Sequence, residues 1–417
     1  MNRSKIIATA LAVPTALAIA GCSAISTGTP PPQAAAAPAG APIASAAPAT
    51  GGTGSLAAYE GTLEQIYSQV NPSVVHVEVV EQAAAQPAMP DPFGLFNGQQ
   101  GQPQVQVGSG SGFLWDNQGH IVTNNHVVAG ASKISVTLSD GTTVQASVVG
   151  ADPTSDLAVI AVDPQATASL QPIQVGDSTQ VKVGQLAIAI GNPFGLDGTM
   201  TTGIISAIGR SLPTGSGNAP SYTIPNVIQT DASINPGNSG GVLLDDAGRL
   251  IGVTAAIESP VRASSGVGFA IPAAVVQQEV PGLIKDGKYE HPWIGLSGST
   301  LNPDEAQAMS LPAGQRGTLV ATVVSGGPAD KAGLRGSDRQ VTISGMQAQV
   351  GGDVITAVDG QPVKSFDDLV AYLADHTKVG QSVKVTLLRG GKEQTIDLTL
   401  AARPSDPAGV ANNTGGN

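Results

Sequence analysis

The sequence predicts a mainly β chain of two domains behind an export leader, and three observations carry that prediction. Short β-branched segments bounded by Gly, Asn or Asp recur over roughly 200 residues. Glycine and proline, 53 and 30 of 417 residues, supply the turns that many short strands require. Hydrophobic residues, at 41 %, suffice for two or three cores, while amphipathic helices are expected only at Asp304–Met309 and Phe366–Ala374.

In chain order, the first element is the leader over 1–21. Arg3 and Lys5 precede an apolar run from Ile6 to Ala20 that contains Pro14. At about 15 residues the run is too short to span a bilayer and suits a signal-peptide core. It ends in Ile19-Ala20-Gly21-Cys22, which resembles a lipobox with Ile in place of the usual Leu. On that reading Cys22 is lipidated and anchors the chain to the outer face of a bacterial cell membrane. The competing reading is an ordinary cleavage site at Ala18-Ile19-Ala20, which releases a soluble secreted or periplasmic protein. Residues 22–58 form an Ala/Pro/Gly-rich tether with no charge between Lys5 and Glu60, and 403–417 read as a similar tail. Such segments bury too little apolar surface to offset their ordering entropy.

Strands are expected at Ser73–Val80, Gly119–Thr123, Lys133–Leu138, Val144–Val149, Leu157–Val162, Leu186–Ile190, Gly203–Ile208, Val242–Leu244 and Leu250–Ala255. Their number and spacing favour barrels or sandwiches over alternating helix and strand. The charge balance, 19 Lys+Arg against 31 Asp+Glu, gives a net charge of −12, and no basic cluster could follow a phosphate backbone. Nucleic acid is therefore not an expected partner. One cysteine excludes an intrachain disulfide framework, and the five histidines lack the spacing of a metal-binding helix. No metal or cofactor is expected.

Three segments carry chemistry. Val122–Val128 places His126 just after an apolar strand. Ser155–Ile160 places Asp156 at the mouth of the next one, and Asn235–Gly241 places Ser239 in a tight Gly-rich turn. A serine hydroxyl is a weak nucleophile until a base takes its proton, and a carboxylate fixes the tautomer of that base. Glycines beside the serine let backbone N–H groups converge where an oxyanion would form. Taken singly, each segment also reads as a structural histidine, a turn aspartate and a hairpin turn. The order His, Asp, Ser on a β-rich chain matches the chymotrypsin-type triad.

From about Tyr59 to Leu400 the sequence resembles the HtrA (DegP/DegQ) serine proteases. The resemblance is carried by Thr123–Val128, Ser155–Ile160, Gly176-Asp177-Ser178, Ala189–Gly195, Gln229–Ala232, Ile234–Gly241 and Gly266–Pro272. It implies a chymotrypsin-like double β-barrel protease domain over 59–288 and a PDZ domain over 289–402. It also implies Ser239 as nucleophile, His126 as general base and then acid, and Asp156 as the residue that orients His126. The N–H groups of Gly237 and Ser239 would make the oxyanion hole, with Asn238 shaping the loop. Ile234, Val253 and Ile271 are apolar candidates for the specificity pocket, favouring Val, Ile, Ala or Leu before the scissile bond; they read equally well as barrel core. Val242 and the segment Leu250–Ile257 depart from the family pattern.

Phe93 and Phe96, in the Gln/Pro/Gly-rich stretch 81–107, match the position of a regulatory loop, and Phe194–Thr201 and Ile257–Gly266 resemble other switching elements. His291–Leu296 resembles the PDZ carboxylate loop, with Trp293, Ile294, Gly295 and Leu296 offering N–H groups and a strand edge to peptide C-termini. Ser365 is expected to cap a helix, and Arg335–Gly351, longer than the short family form, is expected to add a hairpin through Val341 and Ile343. Two function classes follow. One is an exported endopeptidase acting on unfolded or misfolded envelope proteins, expected as a trimer packed through Leu63–Tyr67. The other is a chaperone-like or scaffolding binder with a latent protease site.

Overall fold

The computed structural model describes residues 53–82, 105–195, 198–214, 222–255 and 266–404. The leader with Cys22, the loop with Phe93 and Phe96, and most of Ile257–Gly266 lie outside the described residues.

Helix α1 (Thr53–Val70) leads into a first closed barrel. Its strands are β1 (Val74–Gln82), β2 (Val105–Leu114), β3 (His120–Asn124), β4 (Ala131–Thr137), β5 (Thr143–Asp152) and β6 (Leu157–Ala161), with the single turn α2 (Asn125–Val128) after β3. The strand order is β1-β2-β3-β6-β5-β4, and β1 closes the ring by pairing with both β2 and β4. Val75, Val77 and Val79 alternate inward along β1 and meet Ile121, Ile134, Val136 and Ile160. The second closed barrel uses β7 (Leu186–Gly191), β8 (Thr199–Thr214), β9 (Tyr222–Thr230), β10 (Val242–Leu244), β11 (Leu250–Ala255) and β12 (Gly268–Pro272) in the order β10-β11-β12-β9-β8-β7. The expected strands all fall on these elements, whereas β2, β9 and β12 had no strand assignment from sequence.

Period-two alternation explains why several strands are apolar on both faces. On β6, Ala158 and Ile160 fill the first barrel while Leu157 and Val159 turn outward. On β7, Ala187 and Ala189 fill the second barrel while Ile188 and Ile190 turn outward. The outward sets join in one buried cluster between the barrels. Two helices seal that seam, and both correct the expectation that helix is absent before Asp304. Ile66 and Val70 of α1 pack into the cluster, as do Val276, Val280 and Leu283 of α3 (Ala273–Asp286). Pro281 inside α3 marks a helix breaker by local rules, but the stripe at 276, 280 and 283 is held by burial.

The C-terminal domain contains β13 (Pro292–Trp293), β14 (Leu296–Thr300), α4 (Pro303–Ala308), β15 (Thr318–Val323), α5 (Pro328–Lys331), β16 (Arg339–Ile343), β17 (Met346–Val350), β18 (Val354–Val358), β19 (Gln361–Pro362), α6 (Phe366–His376), β20 (Ser382–Arg389), β21 (Lys392–Thr399) and β22 (Ala401–Ala402). The main sheet runs β14-β15-β18-β20-β21, so β14 is an edge strand. Helix α6 starts at Ser365, whose Oγ accepts from Asp368 N at 3.0 Å, as a serine cap should. The expected extra hairpin is β16–β17, turning through Ser344 and Gly345, both at positive φ.

Asp353, 1 % exposed, anchors this domain. It accepts Arg389 Nε at 2.8 Å, Arg389 Nη2 at 2.7 Å and the Arg335 amide at 2.8 Å. Arg389→Ala would leave a buried carboxylate without its counter-charge, and the domain is expected to lose about 3 kcal/mol in urea unfolding. A loss below about 1 kcal/mol would mean that water re-solvates the carboxylate.

Candidate active site

The sequence Val127-Val128 drives the placement of His126. Both valines are buried in the first barrel, while the preceding His126 keeps its side chain 45 % exposed. His126 Nδ1 lies 2.7 Å from Asp156 Oδ2, and the His126 amide donates to Asp156 Oδ1 at 2.9 Å. The Asp156 carbonyl accepts from Asn125 N at 3.1 Å and Asn124 Nδ2 at 2.9 Å. Asp156 itself sits at φ 56°, a left-handed conformation that Asp adopts more readily than most residues. Four hydrogen bonds thus fix one residue. With a carboxylate accepting at Nδ1, the proton resides there and Nε2 keeps its lone pair. That ring is accessible, since its side chain is 45 % exposed against 13 % for Asp156.

Ser239 lies in a turn whose shape depends on two glycines. Gly237 has φ 94°, and a Cβ there would lie 2.5 Å from Pro193 Cβ. Gly240 has φ 83°, and a Cβ there would lie 2.2 Å from the Ser111 carbonyl oxygen. The turn is bonded at Asn238 N to Asn235 O, 2.9 Å, and at Gly240 N to Thr254 O, 2.8 Å. It is also fastened to β2: the Ser111 amide donates to Ser239 O at 2.7 Å, and Ser111 Oγ donates to Gly237 O at 2.6 Å. Asn192 N in turn donates to Ser111 Oγ at 2.8 Å, tying the segment after β7 into the same network. A Cβ on Gly110 would touch both Val127 of α2 and Ser239 O, so histidine helix and serine turn share one strand. The sequence reading missed Ser111; within the Gly-Ser-Gly-Ser-Gly run at 108–112 nothing sets it apart.

The three pocket candidates are packed. Val253 and Ile271 are cross-strand partners in β11 and β12, fully buried in the seam cluster. Ile234 is 6 % exposed, and its side chain lies over Gly268, where a Cβ would meet it at 2.7 Å.

In the C-terminal domain, Gly295 stands at φ 80° between Ile294 and Leu296. The carbonyls of Ile294 and Gly295 are taken by Ala329 N at 2.8 Å and Val324 N at 2.9 Å, which fixes the loop. A cavity of about 400 Å³ runs between β14 and α6, where Ile294, Leu296, Phe366, Leu369, Val370 and Leu373 line it. The β16–β17 hairpin contributes nothing to its lining. Trp293 also lines this cavity, whose far wall belongs to the barrels and α3. There Asn226 Nδ2 bonds Asp375, and Gln278 Nε2 donates to Ala374 O at 3.2 Å. Burial pushes the Asp375 carboxyl up, against the opposing pull of His376 and Asn226.

Two closed six-stranded barrels meeting beside a histidine–carboxylate pair are the architecture of trypsin-like serine endopeptidases, and the chain falls in that class. Residues 110–253 match the trypsin-like peptidase domain family and 292–400 the PDZ domain family. The chain is 38 % identical over 352 residues to the periplasmic pH-dependent serine endoprotease DegQ of Escherichia coli (strain K12), covering 83 % of this chain and 72 % of that one. It is 47 % identical over 303 residues to chloroplastic Protease Do-like 1 of Arabidopsis thaliana, covering 73 % of this chain and 66 % of the relative. Against the probable periplasmic serine endoprotease DegP-like of Pseudomonas putida (strain W619) it is 41 % identical, over 73 % of this chain and 58 % of the relative. Among solved structures, HtrA-type protease AlgW with decapeptide aligns at a TM-score of 0.62 and 35 % identity, covering 82 % of this chain and 98 % of that one. The chain belongs to the HtrA (DegP/DegQ) family of serine endoproteases. Among the described residues, no helix is long and apolar enough to cross a membrane.

Proposed function

We propose that the chain is an exported serine endopeptidase that cleaves unfolded or misfolded envelope proteins, with a protease domain over 59–288 and a regulatory PDZ domain over 289–402. The observation that carries this is the His126–Asp156 pair held at 2.7 Å, with His126 on α2, which packs against the same strand, β2, that fastens the glycine-bounded Ser239 turn. Ser239 Oγ attacks the scissile carbonyl while His126 Nε2 takes its proton, and Asp156 stabilises the imidazolium that forms. The N–H groups of Gly237 and Ser239 receive the oxyanion, with Asn238 holding the turn. His126 then protonates the leaving amine, and water repeats the sequence to release the acyl group.

Peptide C-termini enter at Trp293–Leu296 and add a strand to the edge of β14, a reading supported by its unpaired outer side and the apolar cavity beside it. Leu63, Ile66 and Tyr67, where the trimer contact is expected from sequence, pack into the seam of this chain; a trimer through α1 would instead use Leu56 and Tyr59, which stand exposed on that helix. Export places the enzyme outside the cytoplasm, and Cys22 supplies a lipid anchor. Incorporation of a fatty-acid label is expected in the wild type and not in Cys22→Ala; equal labelling would remove the anchor from the proposal.

Digestion of an unfolded test protein, with and without a hydrophobic C-terminal peptide, tests the whole reading. Cleavage by the wild type, absent in Ser239→Ala and faster with the peptide, is the expected result. Suppression of aggregation by both proteins without cleavage would favour the binder.

A further inference from the structure

Outside the triad, one cluster of titratable groups stands apart by its burial. Asp152 closes β5, Glu279 lies on α3, and His291 precedes β13, so the three come from the first barrel, the seam helix and the start of the C-terminal domain. One carboxylate oxygen of each acid and one ring nitrogen of His291 all lie within 4.8 Å of one another. Asp152 and Glu279 are each 5 % exposed. His291 Nε2 bonds Asp152 Oδ2. Glu279 Oε2, by contrast, is buried with no hydrogen-bond partner. Among the described residues, no lysine or arginine forms an ion pair with either carboxylate.

Two buried carboxylates against one imidazole leave a charge imbalance that a low-dielectric site does not tolerate without a compensating cation or proton. The atom left without a partner in this buried cluster is Glu279 Oε2.

We infer that Asp152, Glu279 and His291 form a zinc-binding site that joins the protease barrels to the C-terminal domain. One nitrogen and two oxygens suit zinc better than calcium or magnesium, which take oxygen ligands almost exclusively. In a tetrahedron with ligands at about 2.0–2.1 Å, donor atoms stand about 3.4 Å apart, so the present cluster needs only small shifts. An outer shell is in place: Ser155 Oγ donates to Asp152 Oδ2 at 3.0 Å and Thr154 N to Asp152 Oδ1 at 2.9 Å. An edge contact from Tyr289, centroids 4.9 Å apart, steadies the His291 ring. Glu279, His291 and Ser155 all line the cavity of about 400 Å³, which provides an entry path and room for a water as fourth ligand.

The site has a direct route to the catalytic geometry. Asp152 anchors the turn Asp152–Asp156, and that turn delivers Asp156 to His126. A cation at the cluster pins the turn and the chain leaving α3 at once.

The test uses the full chain carrying Ser239→Ala, stripped with a chelator and titrated with zinc sulfate in a calorimeter. Saturation at one zinc per chain is expected. Outer-shell partners alone change metal affinity roughly 10- to 100-fold, so loss of a ligand in Glu279→Gln or His291→Ala should weaken binding at least 100-fold. His126→Ala, which removes the histidine of the His126–Asp156 pair, should bind as the parent does. Cobalt provides a second readout that does not depend on Glu279: a visible d–d band of tetrahedral intensity that disappears in His291→Ala. Absence of stoichiometric binding would overturn the inference. So would undiminished binding in both ligand variants, or binding lost in His126→Ala.

Discussion

Ser239→Ala is expected to lower kcat by roughly a million-fold while leaving the affinity for a C-terminal peptide within twofold of the parent. Such a factor corresponds to about 8 kcal/mol of transition-state stabilisation. The size follows from chemistry, since alanine removes the only atom that forms the covalent bond; His126 then has no proton to take and Asp156 no imidazolium to stabilise. The fold should tolerate the change. Ser239 is held through its carbonyl, which accepts the Ser111 amide at 2.7 Å, and the turn is shaped by Gly237 and Gly240. The C-terminal cavity contains no residue of this turn. Single-turnover hydrolysis of a peptide beside a binding titration separates the two effects. Cleavage retained within about a hundredfold would sink the nucleophile assignment.

Asp156→Asn is expected to cost roughly 10⁴-fold in kcat with little change in Tm. The geometry fixes how the amide must lie. The His126 backbone N–H donates to Oδ1 at 2.9 Å, so the amide oxygen occupies that position and the NH₂ faces Nδ1 at the 2.7 Å contact. A donor there makes Nδ1 the acceptor and moves the imidazole proton to Nε2, the position that should be the base. Stability is spared because Asn tolerates the left-handed φ of 56° as readily as Asp. The Asp156 carbonyl also keeps its bonds from Asn125 and Asn124. A variant with activity within tenfold of the parent would show that Asp156 does not set the tautomer. A fall in Tm by more than about 8 °C would show that the loss is structural.

Much of the barrel architecture was legible because strands buried on one or both faces are written in short β-branched runs, and Leu157–Ala161 and Val242–Leu244 read that way directly. The helices at the seam were not. In α1 the apolar residues Leu63, Ile66, Tyr67 and Val70 do recur at helical spacing, but the Ala/Gly-rich surroundings masked the signal. In α3, Pro281 argues locally against helix, and only the seam cluster that Val276, Val280 and Leu283 enter overrides it. Ser111 escaped for a different reason: its role is to bond two segments, at Gly237 and Asn192, that meet it only after the barrels close.

The sequence by itself determined the β-rich class, the order His126, Asp156, Ser239 and the glycines that let the serine turn form. Those features depend on residue type and local spacing, which the chain carries wherever it folds. Tertiary structure alone decided that Val253 and Ile271 pack in the seam, and that Asp152, Glu279 and His291 converge from positions up to 139 residues apart. Burial and charge balance are properties of what surrounds a side chain, and nothing in the neighbouring letters fixes them.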